Sequence, residues 1–131
     1  MLDVKSSEKP IAAATTPSDA NHVQGGITRT RLQQVDFPDG CTINASIIEV
    51  QAGTYASPHT HPGIEIGYVL GGGFNLSVEG RPDQYLKVGS SYSIPAGAVH
   101  YAKVPGETLK AFCVFIIEKN KPVATVVRPA P

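Results

Sequence analysis

Four residues of this chain combine types and spacings suited to holding a transition metal: His59, His61, Glu65 and His100. Residues two apart in a strand point to the same face, so the imidazoles of His59 and His61 converge if that segment is extended. Glu65 follows past Pro62-Gly63, which can bend the chain and return a carboxylate to the same place. His100 is remote in sequence but stands in a strand-like segment entered through Pro95-Ala96-Gly97. Three imidazoles and one carboxylate form a borderline-hard donor set, suited to one divalent transition ion per chain: Fe, Mn, Ni, Zn or Cu. On a six-coordinate ion, four protein ligands leave two positions for water, substrate or dioxygen. The bland alternative is ordinary surface or loop histidines. It weakens because neutral, metal-free histidines in a small core would need other hydrogen-bond partners. The remaining histidine, His22, falls in the leading segment and is expected to be solvated.

The elements that must position these residues read as strands. With 13 Gly and 11 Pro in 131 residues, long helices are disfavoured, since both residue types are expelled from helix interiors. Short β-like segments run from Thr28 to Val35, Thr42 to Val50, Glu65 to Leu70, Phe74 to Glu79 and Gln84 to Val88, then from Tyr92 to Ile94, Ala98 to Val104 and Leu109 to Glu118. Glycine and proline turns separate them at near-regular spacing, the pattern of an all-β antiparallel sandwich or barrel. Gly71-Gly72-Gly73 is expected to be a flexible hairpin, since no Lys-Ser/Thr pair or helix follows to make it a phosphate loop. Residues 1–26 differ, being rich in Ala, Ser, Thr and Pro. They read as a mobile or partner-docking N-terminal arm, with the barrel over 27–131.

Composition narrows the partners. Eleven basic residues balance eleven acidic ones, which removes the sequence argument for nucleic acid or an anionic membrane. The longest apolar run, Ala111 to Ile117, is too short to span a bilayer. No basic-then-apolar signal pattern opens the chain, so a cytoplasmic protein is expected. Cys41 and Cys113 are too few for a disulfide scaffold. Cys113 alternates with Ala111 and Phe115 and reads as a buried small hydrophobe.

The spacing of glycines and histidines resembles the cupins, small metal-binding β-barrels. Their first motif, G-x5-H-x-H-x3,4-E-x6-G, is met by Gly53, His59, His61, Glu65 and Gly72. Their second, G-x5-P-x-G-x2-H-x3-N, is met by Gly89, Pro95, Gly97 and His100, but Val104 stands where the motif has Asn. The resemblance covers roughly Thr42 to Ile117. It implies a single-domain, jelly-roll-like antiparallel barrel of the quercetin-dioxygenase-like kind. His59, His61, Glu65 and His100 become the implied metal ligands, and Gly53, Gly72, Gly89 and Gly97 turn or close-packing positions. Many cupins form homodimers, so a homodimer is implied as well.

If Glu65 points inward, Gly67 and Val69 do too, with Ile66, Tyr68 and Leu70 on the opposite face. Gly67 then either leaves room for substrate or oxygen beside the metal or lets the sheets pack closely. Few charged residues besides Glu65 are expected inside, which suits a compact neutral or singly charged organic molecule. Three functions fit this chemistry, and the first, an oxygenase, is the one expected. In an oxygenase, the metal binds a chelating enol, catechol-like or diketone substrate and Glu65 doubles as ligand and base. In a non-oxidative lyase, isomerase or cyclase, the metal acts as a Lewis acid. The third function is a non-catalytic metal- or ligand-binding module.

Overall fold

The computed structural model describes residues 21–37 and 40–128, and these are all strand, turn or irregular chain with no helix among them. The strands are β1 (Asn21–Gln24), β2 (Ile27–Phe37), β3 (Cys41–Val50), β4 (Tyr55–Thr60), β5 (Gly63–Gly71), β6 (Gly73–Val78), β7 (Gln84–Lys87), β8 (Ser91–Ile94), β9 (His100–Lys103), β10 (Leu109–Glu118) and β11 (Thr125–Val126). They form two antiparallel sheets. One has six strands in the order β1-β2-β3-β10-β5-β8, and the other has five in the order β11-β4-β9-β6-β7. The arm expected over residues 1–26 lies, up to residue 20, outside the described residues. Its Asn21–Gln24 segment pairs with the start of β2.

Period-two alternation sets what is buried. In β5, Glu65, Gly67 and Val69 point inward while Ile64, Ile66, Tyr68 and Leu70 are exposed, as alternation from Glu65 predicts. In β10, Leu109, Ala111, Cys113, Phe115 and Ile117 face the core. Opposite them, Phe74, Leu76, Val78 and Val104 line the interior from the five-stranded sheet and its flanking loop. Val104, the residue that departs from the second motif, is almost wholly buried. Its backbone bonds Thr54 and Gly53, so the position serves the core as an apolar side chain.

The triple glycine differs from its expected role. β5 belongs to the six-stranded sheet and β6 to the five-stranded one, so Gly71-Gly72-Gly73 is a corner between sheets and not a hairpin between paired strands. A Cβ at Gly72 would collide with the Thr108 carbonyl, which is why the corner needs glycine. All four motif glycines, Gly53, Gly72, Gly89 and Gly97, have positive φ, between 68° and 90°. At Gly97 this matters most for the site, because its N–H donates to the His61 carbonyl at 3.1 Å and ties the two histidine-bearing segments together.

An added Cβ at Gly97 meets no other atom, so substitution there tests the backbone alone. Gly97→Ala is expected to lower stability by about 1–2 kcal/mol in chemical denaturation. Gly106→Ala, in equally open space but without a positive φ, should be near neutral. Equal effects at the two positions would refute the conformational role of Gly97.

Candidate metal centre

The histidines come together because β4 and β9 are neighbours, with His59 directly opposite His100. A bulge between Ala56 and His59 bends the end of β4, and His61 follows its last residue, Thr60. β11 closes the other side, pairing Val126 with His59 and Thr125 with Thr60. The ring centroids lie 4.2 Å (His59–His100), 4.8 Å (His61–His100) and 4.9 Å (His59–His61) apart. One nitrogen from each ring falls within 4.8 Å of the others, close enough to share an ion. Glu65 arrives from the opposite sheet, buried, with Oε1 3.0 Å from His61 Nε2.

Hydrogen bonding fixes which nitrogens face inward. His59 Nδ1 contacts the Ser57 carbonyl at 2.7 Å, His61 Nδ1 that of Val123 at 2.6 Å, and His100 Nδ1 that of Ala98 at 2.9 Å. A carbonyl only accepts, so each Nδ1 carries a hydrogen and Nε2 is the nitrogen turned inward, an acceptor in any ring that is neutral. Yet His61 Nε2 lies 3.1 Å from His100 Nε2 as well as 3.0 Å from the Glu65 carboxylate. Acceptor atoms this close need a cation among them, either an extra proton or a metal. The three inward nitrogens, each ring oriented from behind by a carbonyl, fit a divalent transition ion, and Glu65 adjoins them through its contact with His61.

Comparison with known proteins agrees with this geometry. The cupin domain profile matches residues 46–117, more than half of the chain. The chain belongs to the cupin family. A curated relative, germin-like protein subfamily 2 member 2 of Arabidopsis thaliana, is 26% identical over 121 residues, covering 85% of this chain. The chain spans about half the length of that relative, 55%. Among solved structures, DMSP lyase DddQ from Ruegeria pomeroyi is 24% identical with a TM-score of 0.61, over 68% of this chain and 45% of its own. Oxalate decarboxylase from Bacillus subtilis is 18% identical with a TM-score of 0.69, over 86% of this chain and 31% of its own. At these identities the structural likeness is one of fold.

This cupin's centre includes residues that the sequence reading did not single out. Tyr92, on β8 beside β5, donates its hydroxyl hydrogen to Glu65 Oε2 at 2.8 Å, and its oxygen lies 3.2 Å from Cys113 Sγ. Gly67 turns out to make room for Tyr92: any Cβ there would run into the tyrosine ring. The space beside the metal position on this side is therefore filled by protein. Arg29, on β2, lines the same small cavity of about 70 Å3 with His59, Glu65 and Tyr92. It adds one half-buried charge to an interior expected to hold few besides Glu65. Ile27, Arg29 and Arg31 stand opposite Val50, Ile48 and Ser46, buried residues of β3, which puts all three on the inner side of β2. Cys113 is fully buried as expected, though its thiol meets the Tyr92 hydroxyl.

Burial and charge set the protonation states. Burial, reinforced by the neighbouring His100, lowers the His59 pKa to about 4, and burial lowers that of His100 as well. Burial alone would raise the Glu65 pKa, but hydrogen bonds from His61 and Tyr92 together with the charge of His61 outweigh it and hold the carboxyl below its usual range. Burial and the Glu65 charge push Tyr92 well above the ordinary phenol. At neutral pH the site thus holds neutral His59 and His100, an ionised Glu65 and a protonated Tyr92.

His59 is neutral in the fold down to about pH 4, whereas in the unfolded chain it protonates below its ordinary 6.5. Its contribution is present above pH 6.5 and is lost as pH falls toward 4, because the unfolded state then binds the extra proton. The depressed Glu65 acts in the same direction at the acid end. Thermal melts of metal-free protein should therefore hold steady from pH 8 to 6.5 and decline progressively below. A midpoint that rises on acidification would contradict a buried neutral His59.

Proposed function

We propose that this cupin is a metal-dependent enzyme that moves a proton on a small organic molecule, cleaving or rearranging it as a lyase, isomerase or cyclase. The observation that carries this reading is the buried Tyr92–Glu65 pair, an ionised carboxylate hydrogen-bonded to a protonated phenol on the wall of the histidine cavity. His59, His61, His100 and Glu65 are the proposed ligands of one divalent ion, which would supply Lewis-acid stabilisation of charge developing on a substrate oxygen. Glu65 is the proposed base. Tyr92 holds Oε2 in place and keeps its own proton, so it orients the base and can return a hydrogen bond once Glu65 has accepted a proton. The apolar walls, among them Phe74, Leu76 and Phe115, exclude water from the transfer.

Those same walls favour a second reading, the oxygenase expected from the sequence, in which the centre works on an enol, catechol-like or diketone substrate with dioxygen. Oxygen uptake separates the two. Elemental analysis of the purified chain should find about one transition metal per chain, lost in His59→Ala, His61→Ala or His100→Ala. Glu65→Gln should retain metal more weakly and lose roughly 10²- to 10⁴-fold in turnover, with Tyr92→Phe falling less. Turnover of carbonyl substrates that persists without oxygen supports proton transfer. Turnover confined to air assigns the centre to the oxygenase. Metal binding with no turnover on any of the panel leaves a binding module.

We also propose that a second copy of the chain covers the outer face of the six-stranded sheet. Ile64, Ile66, Tyr68 and Leu70 of β5 are 37–46% exposed there. They are flanked in register by Phe112, Val114 and Ile116 of β10, and β10 in turn by Ile43 and Ile47 of β3. Glu49 and Lys110 stand opposite each other at one end. A broad apolar sheet face of this kind marks an interaction surface, and a flat patch can meet its own copy about a two-fold axis. Light scattering should return about twice the 13.8 kDa chain mass. Ile66→Lys with Tyr68→Lys should bring it to the single-chain mass without loss of metal. A single-chain mass for the unmodified protein would rule the dimer out.

A further inference from the structure

Arg29 occupies a junction. It lines the histidine cavity together with Glu65 and Tyr92, and it also lines an outer hollow of about 330 Å3 bounded by Tyr55, Ser57, Ala124 and Val126. His59 is common to both spaces. The cross-strand partner Ile48 places Arg29 on the inner face of β2. Arg29 Nε is buried, yet it has no hydrogen-bond partner among the described residues, where Arg29 takes part in no ion pair. A buried guanidinium N–H without an acceptor is costly and calls for an explanation. Glu65, the carboxylate lining the same cavity, is already committed to His61 and Tyr92.

We propose that Arg29 binds the carboxylate of an organic-acid substrate at the passage between the outer hollow and the histidine cavity, an inference that rests on the small-molecule metal centre proposed above. The charge arithmetic supports an anion. A divalent ion and a guanidinium outweigh the single Glu65 carboxylate, so the cavity carries excess positive charge when loaded. A guanidinium presents its N–H groups as a planar fork that matches a carboxylate in two parallel hydrogen bonds. A single planar fork is matched by the two oxygens of one carboxylate, whereas a phosphate has a further oxygen that calls for another donor. Held there, the acid group leaves the remainder of a compact molecule directed toward His59 and Glu65.

The test compares propanoate with its uncharged isostere propanamide, using ligand-observed NMR titrations on the full chain in metal-free and zinc-loaded forms. Propanoate should bind roughly tenfold or more tightly than propanamide. Arg29→Gln should abolish that preference, while Arg29→Lys, which keeps the charge but not the fork, should retain part of it. Metal content and melting temperature, measured for each variant, confirm that the fold persists. A preference undiminished in Arg29→Gln means the carboxylate is held by the metal alone and overturns the inference, as does inorganic phosphate binding more tightly than propanoate. An unmodified chain that takes up no metal but keeps an Arg29-dependent preference supports the carboxylate site and overturns the metal centre, so the two failures are distinct.

Discussion

The centre is organised by a conflict among lone pairs. Three imidazoles give their Nδ1 hydrogens to backbone carbonyls and turn their Nε2 atoms toward one another, and a carboxylate points into the same space. Such an arrangement is unfavourable by itself, since acceptors repel and burial strips away the water that would screen them. It persists because the strands that carry the groups are locked elsewhere. β4 is held by β9 and β11, β5 by β10 and β8, and the core of Val69, Phe74, Leu76, Cys113 and Phe115 clamps the sheets together. The hydrophobic contacts thus hold polar groups in a geometry that only a cation relieves.

Those same contacts separate the protonation states. His59 and His100 are kept neutral by loss of water, whereas Glu65 stays ionised despite that loss because hydrogen bonds outweigh it. Tyr92 moves the other way and keeps its proton beside the carboxylate. A base with a fixed proton donor against it arises from one environment acting oppositely on two groups.

Much of this was legible in the sequence, because it depends on local periodicity. The ends of β10 match the expected Leu109 to Glu118 segment, and the inward set Glu65, Gly67 and Val69 follows from alternation alone. The spacing that assigns the chain to the cupins works for the same reason: each motif is one continuous stretch of two consecutive strands and the turns before and between them. What could not be read depends on contacts between distant segments. Tyr92 reaches Glu65 because β8 pairs with β5, and alternation within β8 carries no trace of that neighbour. Gly67 could be read as open space or as close packing until the residue opposite was known. Arg29 was hidden because β2 carries polar residues on both of its faces, so only the pairing with β3 shows which of them turns inward. The glycine corner looked like a hairpin because three glycines specify a change of direction but not which sheet the chain enters next.

The carbonyl behind His61 belongs to Val123, 62 residues further along the chain. His59 and His100 are oriented by carbonyls two residues away, so their tautomers are set as soon as the local turns form. His61 has to wait. Its partner comes from a remote segment, held in place where the two-residue strand β11 pairs with β4 and Val127 N–H reaches the Pro58 carbonyl. Until that pairing forms, two rings have their carbonyl partners and the third does not. Fraying of that short terminal strand in the finished protein would return the pocket to that condition.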